Sequence, residues 1–455
     1  MSPPRKPSLR SVLPSRGKKL LGRPGEFLES LQQHDLQSAP GRRFDLPGFS
    51  ATAARLALAA AIFSLALPTA WASLTLALFL LFWLLSGEYR KKWQRVRDNP
   101  AALAAVALFL LHGIGVLYSP ASWQEALEGW DKYHKLLYIP LAVSLLHDDP
   151  AWRRRAADAF FWSMLLVLAI SYLKWLGLVP HEEAGSGYIV FKSRITHNVF
   201  MVFTVFLALE RALRDRPRRW LWTGVALLAA ANVLFLVTGR TGQVILPFLL
   251  MLFVGRTWGW RVLLGATTGG AVCVALALTV PSLREELGQQ RILQIHQEIR
   301  EHQPGGTVQT SSGLRMEFYR GALALIGERP VFGWGTGSFG SAYRDYAERI
   351  GLANRDAAHP HNEYLLVAQQ LGLVGLAVLL LMGGLQWRAA RRIDPADAGA
   401  MQALLLAIGI GSLFNSFLLD SAEGKFFCLL AGVYLSGMQS GWNAIKSSPS
   451  GNSTN

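Results

Sequence analysis

At 455 residues, 51% of them hydrophobic and with a mean hydropathy of +0.26, the chain does not read as a soluble enzyme. Its apolar residues gather in many long runs, whereas a soluble protein rarely carries even one uncharged run of about 18 residues. The net charge of +15 would suit nucleic acid, but the cations fall in short clusters between apolar runs, so membrane lipids and not nucleic acid are the expected partners.

Residues 1–47 are rich in Pro, Ser, Arg and Lys and have no apolar core. They read as a basic cytoplasmic tail, mostly disordered and without a cleavable signal, with a short amphipathic stretch near Pro24–Leu36 whose cations meet anionic headgroups. Apolar runs follow at roughly 48–68, 69–87, 101–118, 133–147, 157–178, 197–213, 219–238, 242–257, 261–281, 363–387, 400–420 and 425–443, which makes twelve candidate spans. The 133–147 and 242–257 runs are short, and Pro140 and Pro247 are expected to kink them. Cys273 and Cys428 both lie in apolar runs and read as buried thiols.

With the tail inside, the connections Glu88–Asn99, His147–Arg155, Arg211–Arg219, Gly255–Arg261 and Trp387–Asp394 face the cytoplasm, and each is basic. The short connections near Pro68 and Asp420–Gly424 face outward and are almost free of Arg and Lys, as the positive-inside rule requires. Both termini are then cytoplasmic. The layout is nine spans over 48–281, one large outer loop over 282–362, three spans over 363–445 and a polar tail over 446–455. Inside the loop, Glu285–His302 has helical character and Arg315–Glu328 reads as an amphipathic surface helix. Tyr172, Trp175, Trp123 and Trp130 read as interfacial aromatic belts.

The outer face is where isolated polar groups collect. Thr238-Gly239-Arg240-Thr241-Gly242 puts one arginine in a tight hairpin, with glycines that would let backbone approach a ligand. Arg194, with His197 and Asn198, enters a span from outside, and Arg315 and Tyr319 share one helix face. Each of these also has a plain reading as an interfacial anchor or solvated helix. Gly335-Thr336-Gly337-Ser338-Phe339-Gly340 matches GxGxxG, but no strand precedes it, so it reads as a flexible turn and not a dinucleotide fingerprint. His359, Pro360, His361, Asn362 and Glu363 stand where the loop meets the next span. The His-x-His spacing and the intervening proline argue against a metal site. Guanidinium groups hold phosphate oxygens in pairs, and a histidine among them can take a proton from a hydroxyl. The set suits a lipid-linked diphosphate donor and a sugar hydroxyl as acceptor.

The order Thr238–Gly242, Arg315, Pro330-Val331-Phe332-Gly333-Trp334-Gly335, His361-Asn362-Glu363-Tyr364-Leu365 and Leu371-Gly372 resembles the O-antigen ligase family, over about residues 50–440. The resemblance implies a GT-C-type membrane fold of about twelve helices with a large periplasmic loop. It also implies a metal-independent, cofactor-free glycosyltransferase of the bacterial inner membrane that moves O-antigen from undecaprenyl diphosphate to lipid A-core. On that resemblance His361 is the essential histidine and general base, and Arg240 and Arg315 are the essential arginines that bind the diphosphate. Arg194 assists them, Asn362 or Glu363 orients the histidine, and His359 is structural. O-antigen polymerases and protein O-oligosaccharyltransferases share the loop signature and stay open as alternatives, as does a transporter of lipid-linked sugar.

Overall fold

The computed structural model describes residues 45–180, 187–237, 239–277, 310–352 and 354–438. The chain divides into two units, Met1–Leu46 and Pro47–Asn455, and of the first only Asp45 and Leu46 are described. The stretches expected to be helical near Pro24–Leu36 and at Glu285–His302, and the side chain of Cys273, lie outside the described residues.

The described residues are helical, with no β-strand among them. In chain order the helices are α1 (Leu46–Ser64), α2 (Thr69–Leu85), α3 (Tyr89–Arg97), α4 (Pro100–Val116), α5 (Trp123–Asp131), α6 (Tyr138–Leu146), α7 (Pro150–Trp175) and α8 (Arg194–Arg214). They continue as α9 (Arg219–Ala231), α10 (Arg240–Trp258), α11 (Trp260–Ala277), α12 (Ser311–Glu328), α13 (Phe339–Arg349), α14 (Glu363–Ala390), α15 (Pro395–Gly411) and α16 (Ser421–Leu435). Six helical stretches among the described residues are long and apolar enough to cross a membrane, or seven if the bent pair α2–α3 counts as one. The chain is a multi-pass helical membrane protein.

Two connections differ from expectation for clear reasons. Gly87 and Glu88 both adopt positive φ, so the expected loop Glu88–Asn99 instead leaves α2 as helix α3 at 111°. Lys92 on α3 folds back, donating to the Trp83 carbonyl (2.7 Å) and Ser86 Oγ (2.8 Å) with its ammonium 4.1 Å from the Trp83 ring. The 133–147 run is only a 3-10 turn, His134–Leu137, followed by the nine residues of α6. At 1.5 Å per residue α6 alone covers about 13 Å of a hydrocarbon core about 30 Å thick. It is enclosed by other helices, with Ile139, Ala142 and Val143 fully buried. Pro140 falls in its first turn, where the missing N–H was never going to be bonded, so no kink results.

Long helices alternate in direction, which gathers two chemically different ends. At one end α8 finishes and α15 begins: Arg214 donates to the Ala396 carbonyl (3.1 Å) and Arg256 to Gln402 and to the Pro395 carbonyl. At the other end α8, α10 and α14 begin and α15 finishes, and the Glu363 amide donates to the Ser412 carbonyl (2.9 Å). Trp130 is not a belt residue: it stacks on Phe109 (5.2 Å) and donates its indole N–H to the Phe109 carbonyl.

Helix α14 is broken at Gly372, whose φ is 66°. The break frees two carbonyls and two amides, and Pro330–Gly335 takes all four. Trp334 and Gly335 N–H donate to the Gln369 and Gln370 carbonyls (2.9 and 2.7 Å), and Leu373 and Val374 N–H donate to the Pro330 and Val331 carbonyls (2.8 and 3.3 Å). Buried backbone groups need such partners. A Cβ on Gly372 would stand 2.1 Å from the Val331 oxygen. Gly372→Ala is therefore expected to cost at least about 1 kcal/mol and to lower the thermal midpoint of the purified protein. Gly383→Ala, on the same helix with nothing within 4 Å, is the control and should not.

Candidate functional site

The site is organised by the turn Ser412–Asp420 between α15 and α16. Side chains and amides from four other parts of the chain bind it. Asn362, the N-cap of α14, accepts from Leu365 N–H (3.1 Å) and donates to the Leu413 carbonyl (3.0 Å). Tyr319 on α12 donates to the same carbonyl (3.0 Å) and lies 3.3 Å from the His361 carbonyl. Asn415 donates to Thr241 Oγ1 at the start of α10 (3.2 Å). Lys135, just before α6, donates to the Leu419 and Asp420 carbonyls, each at 2.8 Å.

Glu363 closes this arrangement. Its carboxylate is 1% exposed and accepts from the Tyr133 hydroxyl (3.0 Å) and from the Leu418 and Leu419 amides (3.0 and 3.3 Å). Among the described residues neither Glu363 nor Asn362 makes a hydrogen bond to the His361 ring. Both anchor the turn and the head of α14 instead of orienting the imidazole by hydrogen bonds.

His361 has φ 54°, a left-handed conformation uncommon for a residue with a Cβ. The geometry is held by His359, whose Nδ1 accepts the His361 N–H (3.2 Å) and sits 3.3 Å from Ser416 Oγ. The two rings meet edge to face at 4.3 Å. No hydrogen bond to either ring nitrogen of His361 is found among the described residues, so the imidazole is open to a ligand. Burial and the Arg315 guanidinium both hold its pKa below the usual histidine value. Burial, with His361, Lys132 and Arg315 nearby, lowers His359 to about 4. Both are neutral at pH 7, and a neutral imidazole is the form that accepts a proton.

Arg240 opens α10 and donates through Nη1 to Ser312 Oγ on α12 (3.1 Å). Arg315 follows three residues after Ser312, on the same face. It has no ion pair or hydrogen bond among the described residues, but its charge acts on His361, His359 and Tyr319. Arg194 opens α8, and its carbonyl lies 3.4 Å from where a Gly239 Cβ would be, so Arg194 and Arg240 head neighbouring helices. Gly239 and Gly242 face the Asn198 side chain. Built Cβ atoms there would fall 2.2 and 2.5 Å from the Asn198 side chain, so the glycines let α10 pack onto α8.

The Gly335–Gly340 stretch is locked, not flexible. Thr336 and Ser338 are fully buried, and Thr336 bonds the Gly115 and His112 carbonyls (3.0 and 2.6 Å). Among the described residues no group of three or more His, Cys, Asp or Glu could hold a metal ion. Sequence reasoning missed Ser312, Tyr133 and the Ser412–Asp420 turn, which carry no local signature.

Residues 225–380 match the family model described as O-antigen ligase. Over these residues the chain is similar to that family. The matched span contains Arg240, Arg315 and His361 and leaves out Arg194. Families matched by that model comprise membrane enzymes that transfer glycosyl groups. No curated protein matches the sequence.

Because Arg315 disfavours a charged His361, removing it raises the histidine pKa. A base works only while neutral, so activity falls as pH drops through that value. Residual activity of Arg315→Gln should lose its acid limb at higher pH than the wild type, measured as a rate profile from pH 4 to 8. An unmoved limb would show that the two groups are not coupled.

Proposed function

We propose that the protein is an O-antigen ligase, transferring polysaccharide from undecaprenyl diphosphate to a sugar hydroxyl of lipid A-core at the periplasmic face of the inner membrane. The observation that supports it best is the run of groups along α12. Ser312 holds Arg240, and Arg315, one turn on, stands beside an imidazole whose nitrogens are open. Donor-only guanidinium groups suit a diphosphate, and the neutral histidine suits a hydroxyl.

In this reading the acceptor oxygen attacks the anomeric carbon while its proton passes to a ring nitrogen of His361. The bond from the anomeric carbon to the diphosphate oxygen breaks, and its electron pair leaves with the diphosphate. Arg240 and Arg315 meet the charge that grows there, with Arg194 assisting. His359 holds the backbone of His361. The transfer is direct, inverting and metal-independent. The same reading carries the GT-C arrangement of about twelve spans with both termini cytoplasmic. The basic residues clustered at the end away from His361 support that orientation.

Purified protein in detergent, given the lipid-linked oligosaccharide and lipid A-core, should form ligated product in the presence of EDTA. His361→Ala should lower the rate about 10²–10⁴-fold, the usual range for a lost general base, and Arg240→Ala or Arg315→Ala about 10²–10³-fold. Product made only by lengthening the lipid-linked chain would identify a polymerase, and no covalent product would favour a transporter.

A further inference from the structure

The end of the molecule away from His361 holds a cavity of about 300 Å³ that the reaction above does not use. It lies where α7 and α15 begin and α8 and α16 finish. Its walls carry four guanidinium groups, and the fold matches two of them. Arg211 pairs with Asp158 and lies 3.7 Å from the centre of the Phe161 ring. Arg214 pairs with Glu210 and donates to the Ala396 carbonyl (3.1 Å). Asp394 is also occupied, capping α15 at the Ala396 amide (2.8 Å).

Four polar groups on the same walls are left over. Arg153 and Arg154, near the start of α7, form no ion pair among the described residues. Each makes one long bond of 3.4 Å to a carbonyl, of His147 and Pro150 respectively, and Arg153 Nε is buried without a partner. Asp397, half-buried in the first turn of α15, has a carboxylate with no hydrogen bond or ion pair among the described residues. Tyr434 is 2% exposed, and its hydroxyl has no hydrogen-bond partner among them either. Buried polar groups without partners are costly and call for a ligand or water. The cavity is far larger than one ordered water needs. One turn deeper, Ala157, Leu207 and Ala400 give it an apolar floor.

We infer that this cavity binds a phosphoethanolamine group, the head of a zwitterionic phospholipid. Its phosphate oxygens accept from Arg153, Arg154 and the Tyr434 hydroxyl, and its ammonium donates to Asp397. Guanidinium groups suit phosphate oxygens, and a lone carboxylate suits an ammonium. A simple anion would meet repulsion at Asp397, and a simple cation would leave both arginines unmatched. A phosphate that carries an amine satisfies all four groups at once. The apolar floor suits the first carbons of the lipid chains, and basic pockets between membrane helices are where lipid heads bind. None of this depends on the glycosyl-transfer reading.

The test titrates the full-length protein in detergent with dioleoyl phosphatidylethanolamine, phosphatidylcholine or phosphatidylglycerol, and reads bound lipid by native mass spectrometry. Wild type should bind phosphatidylethanolamine with a Kd about tenfold lower than the other two, the gain from one charge-assisted hydrogen bond. Choline has no N–H to donate, and the glycerol head has no ammonium. Asp397→Asn should erase that preference. Arg153→Gln and Tyr434→Phe, which keeps the ring, should each weaken phosphatidylethanolamine binding about tenfold, with gel-filtration profiles unchanged. Arg155→Ala, which removes a cation from the same helix outside the cavity, should bind as wild type. Free O-phosphoethanolamine should bind more weakly than the lipid. Tighter binding of the free compound keeps the phosphoethanolamine site and makes its ligand a soluble one. Equal binding of the three lipids, or an Asp397→Asn variant that keeps the preference, overturns the site. So does an Arg155→Ala variant as weak as Arg153→Gln, because bulk positive charge would then be the cause.

Discussion

A single buried carboxylate holds this end of the molecule together. Glu363 accepts three hydrogen bonds, one from Tyr133 and two from the Leu418 and Leu419 amides, at the first residue of α14. A buried carboxylate is tolerated only with such partners, and these come from two other parts of the chain, the segment before α6 and the turn between α15 and α16. The bonds therefore fix the turn Ser412–Asp420, the head of α14 and the segment before α6 relative to one another. His361, two residues before Glu363, inherits its position from that junction.

The arginines reach the same place by a different route. Arg315 rides on α12, whose C-terminal continuation Pro330–Gly335 fills the break in α14 at Gly372. The segment is thus attached to α14 twice, by backbone bonds at the break and through Tyr319 at the His361 carbonyl. Two attachments separated by several turns leave α12 little freedom to slide, so Arg315 keeps its distance from the histidine. Arg240 is fixed independently, through Thr241 to Asn415 and through close packing of Gly239 and Gly242 on Asn198. In the proposed reaction the guanidinium groups and the imidazole are preorganised before substrate arrives, which is the condition under which fixed charges lower a barrier most.

Much of this was legible in the sequence, and what was not has a common cause. Hydropathy runs and loop charge predicted a helical membrane protein, and motif order brought Arg240, Arg315 and His361 together, because these signals are local or sequential. The partners of those residues are not. Tyr133 meets Glu363 across 230 positions, and Asn415 meets Thr241 across 174. No window of sequence contains either pair. The glycines around Arg240 signal close approach in the sequence but do not name Asn198, the side chain they pack against. Composition gives the 133–147 run one apolar stretch but not its division into a 3-10 turn and the nine-residue α6.

The central claim is a single displacement, with one base on the acceptor side and the leaving diphosphate held opposite. The most direct test is the anomeric configuration of the newly formed linkage, read by NMR on product made from a donor of known configuration. The account predicts inversion. Retention would require either two successive displacements through a covalent glycosyl-enzyme or attack from the face the diphosphate leaves, and would contradict the role given to His361.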